Sequence, residues 1–249
     1  MGTSKGYELP KGGDWEPLKD EATRFASAGG AGSTRPVDLL QSFVRTLGGS
    51  GRVSRGRGVG QTRSSGGHPA RHVGRALVGF LADVSSEGLN VALERAGLAH
   101  LIGKSATDVC AGLADAFSEP GSTLDEHAAR LALVRLNDEI LGAAVTYEEV
   151  EAALNQQLDT DGVALLLARF FANYLYELFC RGFYERWVKK VGSAEATRLL
   201  KAVKDAIDWN LRARLQPRDL STINWSGPEG ARMAEDVMRE TLEIFEVVP

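Results

Sequence analysis

Apolar residues recur every three or four positions over much of the chain, the spacing that places them on one face of a helix. Three segments show the pattern clearly, and each predicts an amphipathic helix with one buried face. The apolar positions are Leu124, Ala128, Leu131 and Val134 in the first segment, Ala196, Leu199, Leu200, Val203 and Ile207 in the second, and Ala234, Val237, Met238, Thr241 and Phe245 in the third.

The stretch from Val163 to Val188 differs, because apolar and aromatic residues face nearly every side of the helix that it predicts. This pattern favours the central, most buried helix of the fold. The residues concerned are Leu167, Phe170, Phe171, Tyr174, Tyr176, Phe179, Phe183 and Trp187.

Helix starts are indicated where an N-cap residue is followed three positions later by an acid that can reach back to it. The pairs are Ser105 with Asp108, Ser122 with Asp125, and Thr146 with Glu149. No alternating strand pattern bounded by turns accompanies them. We therefore predict an all-α fold, with a helical bundle of about six or seven helices in residues 68–249.

The front of the chain predicts a flexible section that is rich in Gly and Arg. Residues 1–33 are interpreted as a flexible tail, with a short helix from Trp15 to Ala28, and residues 34–47 as a short helix with Pro36 in its first turn. Residues 48–67 contain eight Gly, four Ser and four Arg. A segment of this composition buries too little apolar surface to offset the conformational entropy lost on ordering, so we predict a linker or mobile arm.

Charge is distributed unevenly, although the formal net charge is only -4. No Asp or Glu occurs between Leu39 and Ala82, where the chain carries seven arginines: Arg45, Arg52, Arg55, Arg57, Arg63, Arg71 and Arg75. This basic arm has two interpretations. Arg52, Arg55, Arg57 and Arg63 could contact a nucleic-acid backbone, or the segment could be a soluble linker or an arm that docks on an acidic partner.

The apolar segments and the two cysteines indicate the cellular compartment and the redox state of the protein. The N-terminus lacks the apolar core of a signal peptide, and the longest apolar run, residues 163–168, is too short to span a bilayer. The two cysteines, Cys110 and Cys180, have no metal-type spacing and are expected to be reduced and buried. We expect a cytoplasmic protein with no membrane segment.

Residues 97–105, GLAHLIGKS, resemble a phosphate-binding P-loop but do not fit one. Five residues rather than four separate the glycines, and no strand precedes them. The segment is better interpreted as a helix end at Gly97, followed by a turn into a helix that Ser105 caps.

Two further patterns fall short of metal sites. Asp159, Asp161 and Gly162 resemble half of a calcium loop, but Ala168 stands where the loop requires Glu, so one of the two acids is expected to cap the central helix. His68 and His72 have the spacing of a zinc-binding pair without a nearby third ligand in sequence. The sequence predicts no metal, no cofactor and no catalytic residue, although a polar pocket formed only in the fold would escape this test.

Gly2 is small enough for removal of the initiator Met, which leaves a terminal amine with a pKa near ~8 and a partly neutral population at cellular pH. The myristoylation pattern requires Ser or Thr at position six, where this chain has Gly6. The residues alone favour an unmodified tail.

The chain resembles the B component of the Qat bacterial anti-phage defence system. The resemblance lies in the opening Met1-Gly2-Thr3-Ser4, in the Gly/Arg-rich stretch after a short helix, and in two segments of the body. Those segments are ALVGFLADVSSEGLNVAL at residues 76–93 with IGK at residues 102–104, and DAFSEPGSTLDE at residues 115–126.

This resemblance implies a non-enzymatic adaptor with several protein partners. Qat systems combine an ATPase, the B protein, a QueC-like synthase similar to the 7-cyano-7-deazaguanine synthase of queuosine biosynthesis, and a TatD-like nuclease. The family implies that the B protein binds the ATPase and offers its terminal glycine, here Gly2, to the synthase for deazaguanine conjugation. Thr3 and Ser4 would contact the synthase. A nucleic-acid-binding accessory protein that uses the Arg-rich arm is the alternative.

Overall fold

The computed structural model describes residue 9 and residues 12–55, 67–118, 123–215, 223–225 and 227–246. Within these ranges there are ten α-helices, one 3-10 helix at Ala99–Leu101, and no β-strand. The α-helices are α1 (Trp15–Ser27), α2 (Pro36–Thr46), α3 (Ser50–Ser54), α4 (His68–Glu87), α5 (Leu89–Arg95), α6 (Ala106–Phe117), α7 (Leu124–Leu141), α8 (Tyr147–Val191), α9 (Ser193–Arg214) and α10 (Pro228–Glu246).

The all-α prediction is confirmed, and residues 68–249 contain seven α-helices, α4 to α10. The total of ten exceeds the predicted six or seven because three more helices, α1 to α3, precede residue 68. They include the predicted helices near Trp15 and Pro36, together with α3, which lies inside the range predicted as linker. Residues 56–66, which belong to the same Gly/Arg-rich range, lie outside the described residues.

Two of the three predicted helix starts are confirmed. The Ser105 side chain accepts the Asp108 N–H at the start of α6, and Thr146 forms a capping box with Glu149 at the start of α8. The third prediction is wrong by one residue, because Thr123 rather than Ser122 caps α7. Thr123 accepts the N–H of residue 126, and the Glu126 carboxylate accepts the Thr123 N–H.

The segment that resembles a P-loop is a helix end followed by a turn, as predicted. Gly97 follows α5 with a φ of 74°, and the Leu98 N–H donates to the Leu93 carbonyl in a helix-terminating bond of 2.7 Å. The chain then forms the 3-10 helix and reaches Ser105, the cap of α6.

Helix α8 occupies the centre of the fold and contacts α1, α4, α7, α9 and α10. All the aromatic residues predicted to be buried between Leu167 and Trp187 are buried. Its backbone departs from helical geometry at Gly162, where φ is 68° and ψ is 168°. The central helix therefore begins after Gly162, and the expectation that Asp159 or Asp161 caps it is wrong, because the glycine occupies the junction.

An aromatic cluster joins the N-terminal helices to α8. The Phe25 ring of α1 lies 5.6 Å from the Trp187 ring, and the Phe43 ring of α2 lies 5.3 Å from that of Phe179, centroid to centroid. The Trp187 Nε1–H donates to the Ala22 carbonyl at 3.0 Å, so its polar atom is satisfied inside the cluster. Helices α1 and α2 thus complete the core.

The predicted faces of α9 and α10 are confirmed, since every apolar position named for them is buried. The predicted face of α7 is correct only in part. Ala128 is buried as predicted, but Leu124 and Leu131 are 52% and 37% exposed, and Ala132 and Leu133 are buried instead. The buried side of α7 is therefore turned away from the predicted one, and leucines lie on both sides of the helix.

Ionic contacts join α7, α8 and α9 around Glu139. Its carboxylate accepts from Lys204 Nζ at 2.9 Å and from Arg169 Nη2 at 3.2 Å. Arg169 also pairs with Asp161 at 2.8 Å, across the break at Gly162. Burial would raise the pKa of Glu139, but the hydrogen bond from Lys204 and the charges of Lys204 and Arg169 outweigh it and lower that pKa.

Tyr147–Val191 is long and apolar enough to cross a membrane by length and composition alone, and 83% of its most apolar window is buried inside the fold. A core helix satisfies the same criteria. The apolar composition of α8 is therefore accounted for by its place in the core.

Candidate functional site: a groove along helix α4

Helix α4 packs one face on α8 and leaves the other face open. Gly74 lies on the packed face, where a Cβ would stand 2.9 Å from the Phe171 ring, so the glycine permits the close approach. The opposite face carries His72, Arg75 and Asp83 along one side of the helix.

Other elements close this open face into a groove of about 530 Å³. Ala92 and Arg95 of α5 and the C-cap residue Ala96 form one wall. Phe117 at the end of α6 and Trp225 before α10 also line the groove. We call this feature the α4 groove. Its volume falls within the range of about 300 to 1,000 Å³ that is typical of ligand sites.

Two arginines of the groove differ in their electrostatic surroundings. Arg95 pairs with Asp83 at 2.7 Å and with Glu87 at 2.6 Å. The hydrogen bonds that its guanidinium donates to Asp83 and to Glu87 raise the pKa of Arg95. Arg75 is half-buried and has no ion pair with any residue that the structure describes. Its guanidinium remains available to an external acceptor.

Trp225 is 6% exposed, and its buried Nε1–H has no hydrogen-bond partner. Buried indole N–H groups usually find an acceptor, because an unpaired buried donor costs free energy. The position of Trp225 depends on Gly230, since a Cβ at Gly230 would stand 2.5 Å from the Trp225 Cα. Trp225 therefore holds a donor that is buried, has no acceptor and is not exposed to the groove.

The two histidines at zinc-like spacing line a neighbouring pocket of about 140 Å³, which shares His72 with the α4 groove. The fold places the Glu126 carboxylate in the same pocket, although Glu126 is far from His68 and His72 in the sequence. That carboxylate already accepts the Thr123 N–H at 2.9 Å. Within the described ranges, no group of three or more His, Cys, Asp or Glu side chains could hold a metal ion.

The cysteines are not activated nucleophiles. Both are free and partly buried. Burial raises the pKa of the Cys110 thiol, and burial likewise raises the pKa of the Cys180 thiol, to about 12. Because the thiolate is the reactive form, both side chains are held in their unreactive state near neutral pH.

Most of the site residues predicted from sequence lie outside the described residues, namely Gly2, Thr3, Ser4, Arg57 and Arg63. Arg52 and Arg55 are described, and both are exposed at α3.

The rest of the basic arm is divided among different contacts. Arg71 pairs with Glu235 of α10 at 3.0 Å, whereas Arg75 faces the α4 groove. Sequence reasoning counted Arg75 among the basic residues but missed the groove, since Phe117 and Trp225 reach α4 only through the fold.

The fold and the groove define the class of this molecule, an all-α protein with an open groove along one surface helix. Residues 58–245 match a protein family described as QatB, Qat anti-phage system associated protein QatB. The match covers most of the chain, and the chain belongs to this family. It is therefore a component of a Qat anti-phage system, which confirms the resemblance found in the sequence.

The matched range contains the complete α4 groove and begins after the opening residues Met1 to Ser4. No curated protein and no solved structure gives a significant match to the chain.

Proposed function

We propose that the protein is a non-enzymatic adaptor of the Qat system, acting in the cytoplasm, which binds the ATPase and presents Gly2 to the QueC-like synthase for deazaguanine conjugation. The observation that carries this proposal is family membership over residues 58–245. The family description, a system-associated protein, agrees with a role alongside other components. A TatD-like nuclease is a further candidate partner.

The conjugation step is an ordinary acyl transfer. The synthase would activate the carboxylate of the deazaguanine with ATP as an acyl-adenylate, with release of pyrophosphate, and the neutral Gly2 amine would attack that carbonyl. A C–N amide bond forms, the C–O bond to AMP breaks, and the amine loses a proton. Thr3 and Ser4, as small residues, would fit an extended segment in the synthase active site.

The described residue nearest to this terminus is Leu9, which is buried against α8 beside Gly182. A Cβ at Gly182 would stand 3.1 Å from Leu9 Cδ2. Six residues lie between Gly2 and Leu9, so seven Cα–Cα steps give a contour length of at most about 25 Å. Leu9 therefore supports a model in which the helical body holds the base of the tail while its end reaches a partner.

Intact-mass measurement of the protein co-expressed with its neighbouring Qat genes tests conjugation. We expect a mass increase equal to one deazaguanine acyl group, carried by the N-terminal peptide after proteolysis. Gly2→Ala should lose the modification and phage protection. Lys5→Arg, which removes the nearest side-chain amine, should keep both. An unmodified N-terminus in a protective system, or full protection by Gly2→Ala, would refute the conjugation role.

The adaptor role has its own test, which is co-purification with the ATPase component from cells that express only those two proteins. We expect a stable complex in the absence of the synthase. If conjugation occurs without any such complex, the ATPase-binding part of the proposal is wrong and the acceptor role remains.

A second candidate function is nucleic-acid binding, favoured by the exposure of Arg52 and Arg55 at α3. Reversing the charge of Arg52, Arg55, Arg57 and Arg63 should then abolish binding to a DNA or RNA oligonucleotide and remove its dependence on salt. No binding by the wild-type protein at low salt would exclude this function.

A further inference from the structure

The C-terminal part of α8 has a side that is open to solvent, although the middle of this helix forms the centre of the core. Residues 170–179 are all buried, whereas Tyr184 and Glu185 are exposed. The half-buried Arg181 and Gly182 lie at the transition between the two parts. The described helices therefore leave one side of α8 uncovered near its end.

Apolar side chains of α7 are exposed at the same place. Leu124 and Leu131 are seven residues apart and lie on one side of α7, where both are exposed. Arg181 Nη1 donates to the Leu124 carbonyl at 2.7 Å, which places the start of α7 beside this part of α8. Tyr184 is three residues after Arg181, on the same side of α8, and is 41% exposed. We call Leu124, Leu131, Arg181, Tyr184 and Glu185 the α7–α8 face.

The composition of this face is typical of a protein-binding surface. Five large apolar side chains are exposed among the described residues, and three of them belong to this face. Scattered exposed apolar residues are ordinary, whereas a group with a polar surround marks an interaction site. Tyr and Arg are also the residues that contribute most at the centres of interfaces. The α7–α8 face has this arrangement, with Tyr184 beside Arg181 and Glu185 at its border.

The base of the N-terminal tail borders the α7–α8 face. Leu9 is buried against α8 at Gly182, where a Cβ would stand 3.1 Å from its Cδ2 atom. At about 100° per residue, Arg181 and Glu185 lie between Tyr184 and Gly182 around the helix axis. The arc from Tyr184 to Gly182 is about 160°, or about 15 Å over the surface of a helix. Leu9 and Tyr184 are thus at opposite borders of one surface.

The reach of the tail limits where an enzyme that acts on Gly2 can contact the body. Gly2 lies at most about 25 Å of chain from Leu9. A compact chain of 249 residues has a radius of gyration of about 18 Å and so measures about 45 Å across. Part of the tail is also taken up inside the enzyme, because active sites lie in clefts. The enzyme must therefore contact the body close to Leu9.

We infer that the α7–α8 face is the docking surface for the synthase that modifies Gly2. Apolar groups of the enzyme cover Leu124, Leu131 and Tyr184, while the tail runs from Leu9 into its active site. This inference rests on the proposed function and adds the surface by which the helical body is recognised.

The main test is the rate of Gly2 modification of the full-length protein by the purified synthase, with ATP and the deazaguanine carboxylate, followed by intact mass. Tyr184→Glu should lower kcat/KM by at least about ten-fold, because a charge replaces an aromatic ring at the centre of the interface. The loss should be in KM rather than kcat, since the acceptor amine is unchanged. Tyr184→Phe should keep most of the activity.

The control is Trp209→Glu, which places the same charge at an exposed aromatic position on α9, outside the α7–α8 face. It should leave kcat/KM within about two-fold of wild type, as expected of a surface position remote from the interface. Thermal unfolding of each variant verifies that it is folded.

A synthetic peptide of residues 2–9, GTSKGYEL, separates recognition of the body from recognition of the tail. It carries the acceptor amine without the α7–α8 face. We expect its kcat/KM to be about 10²- to 10⁴-fold below that of the full protein, the gain that a second linked contact provides. Equal values for peptide and protein would show that the synthase reads the tail alone and would overturn the inference.

Binding without chemistry distinguishes this inference from the proposed function. The Gly2→Ala protein should bind the immobilised synthase, and Tyr184→Glu in the same chain should weaken binding by at least about ten-fold. Tyr184-dependent binding without any modification of wild type would contradict conjugation but support the docking surface. The surface is wrong if Gly2→Ala does not bind, if Tyr184→Glu and Trp209→Glu lose equally, or if Tyr184→Glu instead abolishes ATPase binding or self-association.

Discussion

Gly67, which precedes α4, shows how a single residue sets the geometry of the groove helix. Its φ is 70°, in the left-handed region, and a Cβ there would collide with the Val53 carbonyl oxygen and stand 2.8 Å from the Met238 methyl group. Its backbone N–H also interacts with the buried Tyr174 hydroxyl, which donates to Asp125 at 2.9 Å. The start of α4 is thereby fixed against α3, α8 and α10.

Gly67→Ala should destabilise the protein strongly. The left-handed conformation alone costs an alanine roughly 1–2 kcal/mol, and the collision with backbone raises the loss to about 3 kcal/mol or more. Urea unfolding measures the loss. Gly97→Ala is the matched control, since Gly97 has a φ of 74° with nothing within 4 Å of its Cβ position, and should lose only the roughly 1–2 kcal/mol of conformational strain. Equal losses in the two variants would contradict the steric account.

Cys180 shows how burial changes the chemistry of a single side chain. Burial raises the pKa of its thiol to about 12, so the thiolate population near neutral pH is very small. Alkylation by iodoacetamide at pH 8 should be slow in the native protein and become fast in denaturant, as measured by peptide mass spectrometry. Fast native alkylation would show that the thiol is accessible and ionised.

At the scale of elements, α7 illustrates why a helix face cannot always be deduced from hydrophobicity. Leucine at positions 124 and 131 suggested one buried side, yet Leu133 and Leu136 are wholly buried on the other side, together with Ala132. The choice between two moderately apolar faces depends on the shape of the neighbouring helix. Helices α9 and α10 each have a single apolar face, so the sequence alone identified the side that is buried.

The Glu139 network predicts a pH dependence of stability. The pKa of Glu139 is lowered from its usual 4.5, so the network contributes fully above pH 4.5, and its contribution is lost as the pH falls through the lower pKa of the folded state. Glu139→Gln should destabilise the protein by about 1–3 kcal/mol at neutral pH. It should also reduce the loss of stability between neutral and acidic pH.

The measurement is urea unfolding of Glu139→Gln and wild type across that pH range. Asp205→Asn is the control, because Asp205 forms an exposed pair with Lys201 on α9 and should change stability little. If Glu139→Gln kept the full acid dependence of the wild type, Glu139 would not be its source.

At the scale of the whole molecule, the N-terminal helices are part of one core. Phe25 and Phe43 pack on the rings of Phe179 and Trp187, and Glu246 of α10 accepts the Ser50 N–H at 2.8 Å, which holds α3. The division of the chain at residues 33, 47 and 67 stays a prediction.

A chain restricted to residues 68–249 should therefore fold poorly. It would expose the α8 aromatic cluster, and loss of each large buried ring typically costs about 3–5 kcal/mol. We expect binding of the dye ANS and a broad urea transition. A chain that lacks only residues 1–8 retains the cluster and should unfold as the full protein does. A sharp transition at the wild-type urea concentration in the 68–249 chain would show that the body folds independently.

Local signals in the sequence determined the helical class, the caps at Ser105 and Thr146, the central position of the aromatic stretch and the faces of α9 and α10. Each of these depends on contacts within one turn of helix or on a single strong periodicity. Short segments such as residues 76–93 also carried the family resemblance, which the match over residues 58–245 confirmed.

Only the tertiary structure decided which side of α7 is buried, how α1 to α3 join the core, and that a groove exists beside α4. The groove brings together residues 75, 95, 117 and 225, and no local pattern encodes contacts between positions so far apart in sequence. Arg75 could be counted as a charge in the sequence, but whether it meets a carboxylate depends on the neighbours that long-range packing supplies.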